Sequence, residues 1–178
     1  MIDIGFRPRC ALEAINAGQF RLSKILDIIS ECKYSIHDLS RTELDSTSGL
    51  PRFNMPLELG LDLGCKRFGN SRQREKICLV LDVEPYRYQK FISDISGQDV
   101  YAHEGDERQV VELVRNWLRL ELNPGLVRIP GGGTIFQRYL EFQTALPALC
   151  DQLNWDRKQL PFADFSYAVA SWIIQNPI

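Results

Sequence analysis

The run KICLVLDV, residues 76–83, constrains the fold of this chain more than any other stretch. Apolar residues fill positions 77–81 without alternation, between a lysine and an aspartate. Such a run is too short for a helix and has no polar face, so it reads as a strand buried on both sides. A strand of that kind needs a layer of structure above and below it, which is the arrangement of an α/β protein with a parallel sheet. The surrounding sequence supplies the layers. RLSKILDIISECK (21–33) places Leu22, Ile25, Leu26, Ile29 and Cys32 on one helical face, and YSIHDLS (34–40) reads as a short strand. DVYAHE (99–104) reads as another strand, and DERQVVELVRNWLRLEL (106–122) has helical apolar spacing with acids in its first turn. The opening GFRPRCAL (5–12) is β-compatible, although Pro8 restricts it to a short or edge strand.

After residue 122 the pattern changes. NPGLVRIPGGGT (123–134) is a Pro/Gly linker, and PGGGT within it lacks the Lys-Ser/Thr pair of a phosphate-binding loop. IFQRYLEFQTALPALCDQL (135–153) and FADFSYAVASWII (162–174) follow as amphipathic helices, the first kinked or restarted near Pro147. In the second, Phe165, Ala168, Val169, Trp172 and Ile173 make a stripe too apolar to leave in water. The expected organisation is an α/β domain over 1–122, then a linker and helical extension over 123–178.

FNMPLELGLDLG (53–64) is ambiguous, because its leucines alternate like those of a strand. Pro56 cannot donate to a ladder, glycines weaken a strand, and CKRFGNSRQRE (65–75) is short for a parallel crossover. As a helix the stretch is coherent: Asn54 is an N-cap and Pro56 lies harmlessly in the first turn. Leu57 and Leu61 share a side with Gly60 and Gly64 for close packing on a sheet, Leu59 and Leu63 form a second apolar side, and Glu58 with Asp62 take the polar arc. Glu58 then stands at a helix start, at the rim where open α/β sheets bind ligands. An acid there also simply answers the helix dipole, and spacing alone leaves both readings open.

Composition narrows the partners. The chain has 178 residues and net charge −2, with no long basic run, so nonspecific nucleic-acid binding is not expected. No apolar segment reaches the length of a bilayer span, and MIDIGFRPRC lacks a signal core, so a cytoplasmic protein without membrane contact is expected. Five cysteines without CxxC spacing read as reduced thiols, and with two histidines they form no metal ligand set in sequence. No metal and no cofactor are expected. His37 and Cys65 read as packed residues.

The run YSIHDLSR…PRFNMPLELGLDLGCKRFG…KICLVLD resembles the nucleoside 2-deoxyribosyltransferase-like group and its TIR-like bacterial relatives. The matching elements are Asp38-Leu39-Ser40 at a strand end, Glu58-Leu59-Gly60 at a helix start, and the strand from Lys76 to Asp82. EPYRYQKFISDISGQD (84–99) looks like the loop and short helix that follow in TIR-like nucleotide-binding proteins. The resemblance covers roughly residues 5–122 and implies a three-layer, flavodoxin-like or TIR-like domain. It implies Glu58 as a catalytic carboxylate for cleaving a base–ribose bond, where positive charge grows on the sugar. It further implies Asp38 and Ser40 on ribose hydroxyls, Asn54 and Met55 lining the pocket, and Arg41 on a phosphate. Tyr88, with Tyr86 and Arg87, either stacks on a base or pins its own loop. Asp94, like Asp99, either makes a turn or touches the pocket. These families begin with a central strand and helix, and MIDIGF looks like the end of that helix, so the expectation is that the first strand is absent or that the start lies too far downstream. The implied ligand is a nucleoside, nucleotide or NAD-like molecule, with hydrolysis and transfer both open. A non-catalytic interaction module that forms homo-oligomers through its helices is the alternative.

Overall fold

The computed structural model describes residues 1–13, 18–122 and 129–177. Six α-helices and one three-stranded parallel sheet occur among them. Contacts group the chain into two compact units, Gln19–Val114 and Met1–Gly18 with Arg115–Ile178.

The first unit contains α1 (Arg21–Glu31), β1 (Tyr34–Asp38), α2 (Asn54–Phe68), α3 (Ser71–Arg74), β2 (Ile77–Asp82) and β3 (Val100–Ala102). The strands pair in the order β1-β2-β3, with Ser35 beside Cys78, His37 beside Val80, and Asp82 beside Ala102. β2 is central, and Leu79, Val80 and Leu81 are all buried, as the unbroken apolar run requires. The β1–β2 crossover contains α2, and the β2–β3 crossover is made of two 3-10 turns, Arg87–Lys90 and Ser93–Ile95. Both contribute to one core, in which Leu39, Leu59, Val80 and Tyr88 are buried with Met55, Leu63, Phe91 and Ile95 against them. β1 and β2 are direct neighbours, with no strand between them.

Residues 53–64 are helical, as Pro56 and the glycines imply, but the helix differs in detail from its sequence reading. Asn54 is the first helical residue, Phe53 occupies the cap position, and no side chain caps the end. Asp62, expected on a solvated arc, is 1% exposed, whereas Leu57 is 54% exposed. The reversal arises because Ser35, His37 and Lys76 stand opposite Asp62 and replace its water. Gly60 and Gly64 do not serve close packing, since a Cβ at either would touch nothing within 4 Å.

α4 (Glu107–Glu121) spans the division between the units, which falls between Val114 and Arg115. The second unit contains α5 (Gly132–Gln152) and α6 (Phe162–Gln175). Phe142, Leu146 and Cys150, spaced four apart on α5, pack with Ala168 and Trp172 of α6. The Phe142 ring meets Phe165 and Trp172 edge-on, at centroid distances of 5.8 and 5.9 Å. α5 is not restarted at Pro147: one helix runs through it, held by the apolar face on either side. Gly132 to Thr134 are the first residues of that helix and not linker, while 123–128 lie outside the described residues.

The expected strand at 5–12 is absent. Gly5, at φ 81°, closes a 3-10 turn over Ile2–Ile4, and the following residues are irregular. They belong to the second unit, which contains none of the sheet strands and so offers no ladder for an edge strand to join. No helix among the described residues is long and apolar enough to cross a membrane. None of the five cysteines is in a disulfide.

Candidate functional site

β1 and β2 each end in an acid, and the parallel ladder brings the strand ends to one edge. Asp38 ends β1 and Asp82 ends β2, while His103 follows β3 directly. His103 is buried, and its Nε2 lies 3.4 Å from Asp38 Oδ1. Its other nitrogen, Nδ1, accepts the Gly105 N–H at 3.1 Å, which fixes the proton on Nε2, the atom facing Asp38. Asp38 Oδ1 also accepts the backbone N–H of Ser40 at 3.0 Å. Partial burial opposes ionisation of Asp38, but hydrogen bonds from Ser40 and the presence of His103 outweigh it and lower its pKa.

Asp82 is fully buried. Its Oδ1 accepts the Val83 N–H at 2.7 Å and two bonds from Arg87, at 2.9 and 2.6 Å. Arg87 also donates to the Leu39 carbonyl at 2.7 Å, so one guanidinium ties together the carboxyl ends of β1 and β2. Asp82 Oδ2 has no hydrogen-bond partner. The rim loops hold two non-glycine residues in the left-handed region, Tyr86 at φ 60° and Glu104 at φ 54°. Backbone strain of this type, of about 1–3 kcal/mol per residue, concentrates at working sites.

The residues singled out from sequence divide into two groups. Asp38 and Ser40 meet at the rim, joined there by His103. Glu58 is half-buried, and because α2 begins at Asn54 it is the fifth residue of the helix, beyond the first turn where the sequence placed it; it has neither a hydrogen-bond nor an ion-pair partner among the described residues. Its neighbour Leu59 shares a core with Leu39, which puts the start of α2 at the same end of the sheet as Asp38. His37 faces Asp62 of α2, so strand alternation turns Asp38 toward the opposite face. Met55 packs on that core. Asn54 and Arg41 are exposed. Tyr88 is 3% exposed inside the core, where it pins its own loop, while Tyr86 projects into solvent. Asp94 is exposed in the 3-10 turn Ser93–Ile95. His103, Asp82 and the bonds of Arg87 were missed by sequence reasoning, although an acid closing each of two apolar runs was a readable sign.

Below the rim, between α2 and the sheet, lies a second polar cluster. Asp62 accepts the Ser35 hydroxyl at 2.5 Å and lies 3.0 Å from Lys76 Nζ. Lys76, 2% exposed, also donates to the carbonyls of Ile29 (2.7 Å) and Cys32 (2.5 Å) at the end of α1. Burial raises the pKa of Asp62, but the polar groups of His37, Ser35 and Lys76 beside it and the ammonium charge prevail and bring it down to about 2. Cys78 lies nearby, its thiol pushed up to about 11, first by burial and then by the Asp62 charge.

Open concavities lie elsewhere: one of about 430 Å3 lined by Phe6, Arg7 and Phe162, and one of about 690 Å3 lined by Lys66, Arg67 and Arg74. Neither touches Asp38, Glu58 or His103. No family model matches the chain, and searches of curated proteins and of solved structures returned no match.

Proposed function

We propose that this chain binds a ribose-bearing small molecule, such as a nucleoside, nucleotide or NAD-like dinucleotide, at the carboxyl rim of its sheet and cleaves the base–ribose bond there. The observation that carries this reading is the meeting of Asp38, Ser40 and His103 at that rim, with a partnerless Glu58 in the helix that starts at the same end. An ionised Asp38 suits paired ribose hydroxyls as an acceptor. Glu58 supplies the carboxylate: as the C1′–N bond breaks and the base departs with the bonding electrons, a negative oxygen stabilises or captures the electron-poor C1′. Water or a second base then completes hydrolysis or transfer. The domain is read as flavodoxin-like or TIR-like, and reduced cysteines favour a cytoplasmic setting.

The test is incubation with a panel of nucleosides, nucleotides and NAD, followed by chromatography for freed base. Release is expected for at least one of them. Glu58→Gln keeps the side chain's size but removes its charge, so release should fall by about 100-fold or more while the far-UV spectrum is unchanged. Undiminished release by this variant removes Glu58 from the mechanism.

A second reading has its own support. Leu44, Leu50, Phe53 and Leu57 are each more than half exposed, at 71%, 67%, 53% and 54%, within and just after the loop that delivers α2. Apolar exposure of this kind suits an interaction module that self-associates. Light scattering separates the two: a concentration-dependent dimer lost in Leu50→Ser/Phe53→Ser, with no base released from any substrate, favours the module.

A further inference from the structure

The cluster between α2 and the sheet contains a buried histidine that no hydrogen bond accounts for. His37 is 5% exposed, and neither of its ring nitrogens has a hydrogen-bond partner. An unsatisfied polar group in such a place costs about 1–3 kcal/mol. Its surroundings follow from the ladder. Ser35 and His37 alternate onto the face of β1 that meets α2, Cys78 stands beside Ser35 in register, and Asp62 descends from the helix. One donor atom from each of His37, Asp62 and Cys78 lies within 4.8 Å of the other two.

The separation of His37 and Asp62 suits a shared ion better than a direct bond. His37 Nε2 is 3.4 Å from Asp62 Oδ2, long for a hydrogen bond between these groups. Two ligands on one tetrahedral zinc, bonded at ~2.0–2.3 Å, stand roughly 3.3–3.8 Å apart. We infer that His37, Asp62 and Cys78 form a buried three-ligand site for a zinc-class divalent ion. A nitrogen, an oxygen and a sulfur donor suit a borderline-soft metal, whereas calcium and magnesium call for oxygen ligands throughout. The Ser35 hydroxyl or a water completes the fourth position.

Charge and proton balance hold. Binding expels the Cys78 proton to solvent, so a dication, a thiolate and a carboxylate sum to zero. The Lys76 ammonium remains on Asp62 Oδ1 and on the carbonyls of Ile29 and Cys32, where the negative end of the α1 dipole offsets it. Lys76 thereby orients the Asp62 ligand from outside the coordination sphere.

The test uses the full chain, freed of metal with a chelator and titrated with Co2+ and then Zn2+. About one equivalent of Co2+ should bind with a thiolate-to-cobalt absorption band, since a Cys78 ligand must be deprotonated. Zinc should bleach the band and raise Tm. Cys78→Ser and His37→Gln should lose the band, while Cys10→Ser/Cys32→Ser/Cys65→Ser, which spares the site, should keep it. A wild-type titration without a thiolate band overturns the site, even if the single variants fail to fold. A band that persists in Cys78→Ser overturns it equally, by assigning the ion to another cysteine.

Discussion

The Lys76 ammonium donates to two helix carbonyls and pairs with the Asp62 carboxylate 3.0 Å away. Removing one member of such a buried pair leaves the other charged without compensation, at a cost of about 3–5 kcal/mol. Asp62→Asn should therefore lower the unfolding free energy of chelator-treated protein by that amount in urea titration, and Lys76→Met by a similar amount. The pH dependence follows from the direction of the Asp62 shift. Its folded pKa of about 2 lies below the unfolded value, so its contribution is complete above about pH 4 and is lost as pH falls toward 2. A shift of that size corresponds to about 2 kcal/mol, and Asp62→Asn should remove this part of the acid-induced loss. None of this was legible locally. Asp62 and Glu58 lie four residues apart on one helix, and only what faces them across the sheet makes one buried and the other free.

At the scale of elements, the sequence was most informative where backbone chemistry decides. Pro56 excluded a strand over residues 53–64, and the unbroken run 77–81 placed β2 correctly. It was least informative where a partner decides: GFRPRCAL has strand-like residues, but no ladder receives it. Gly60 inside α2 and Gly69 at its C-terminal cap give a matched pair of tests. A Cβ at Gly60 meets nothing, so Gly60→Ala should stabilise the protein by about 0.5–1 kcal/mol in thermal melts. At Gly69 a Cβ would collide with the Gln73 side chain and the Cys65 carbonyl, so Gly69→Ala should destabilise despite an ordinary φ of −73°. Equal effects at the two positions would show that the helix end relaxes freely.

At the scale of the molecule, the described residues form two hydrophobic cores, one around Leu59 and Val80 and one around Phe142 and Trp172. Trp172→Ala should cost about 3–5 kcal/mol within its own unit. Hydrogen exchange should then show α5 and α6 losing protection before β2 does. Simultaneous loss in both cores would show that they unfold as one. The grouping of residues 1–18 with 115–178 was invisible to sequence reading, because amphipathic periodicity identifies a face but not the distant segment that covers it.

The Lys76 contacts also set a clock on synthesis. The carbonyl of Cys32 waits for a donor 44 residues further along the chain. At ~5–20 residues per second, that delay is roughly 2–9 s for a growing chain. Until then α1 leaves the ribosome with its C-terminal end open to water, and β1 has no neighbour with which to pair. Protease protection of arrested nascent chains should therefore appear in the 21–38 segment only once residue 82 has cleared the exit tunnel. Protection at shorter lengths would mean that the helix and strand hold each other without their later partner.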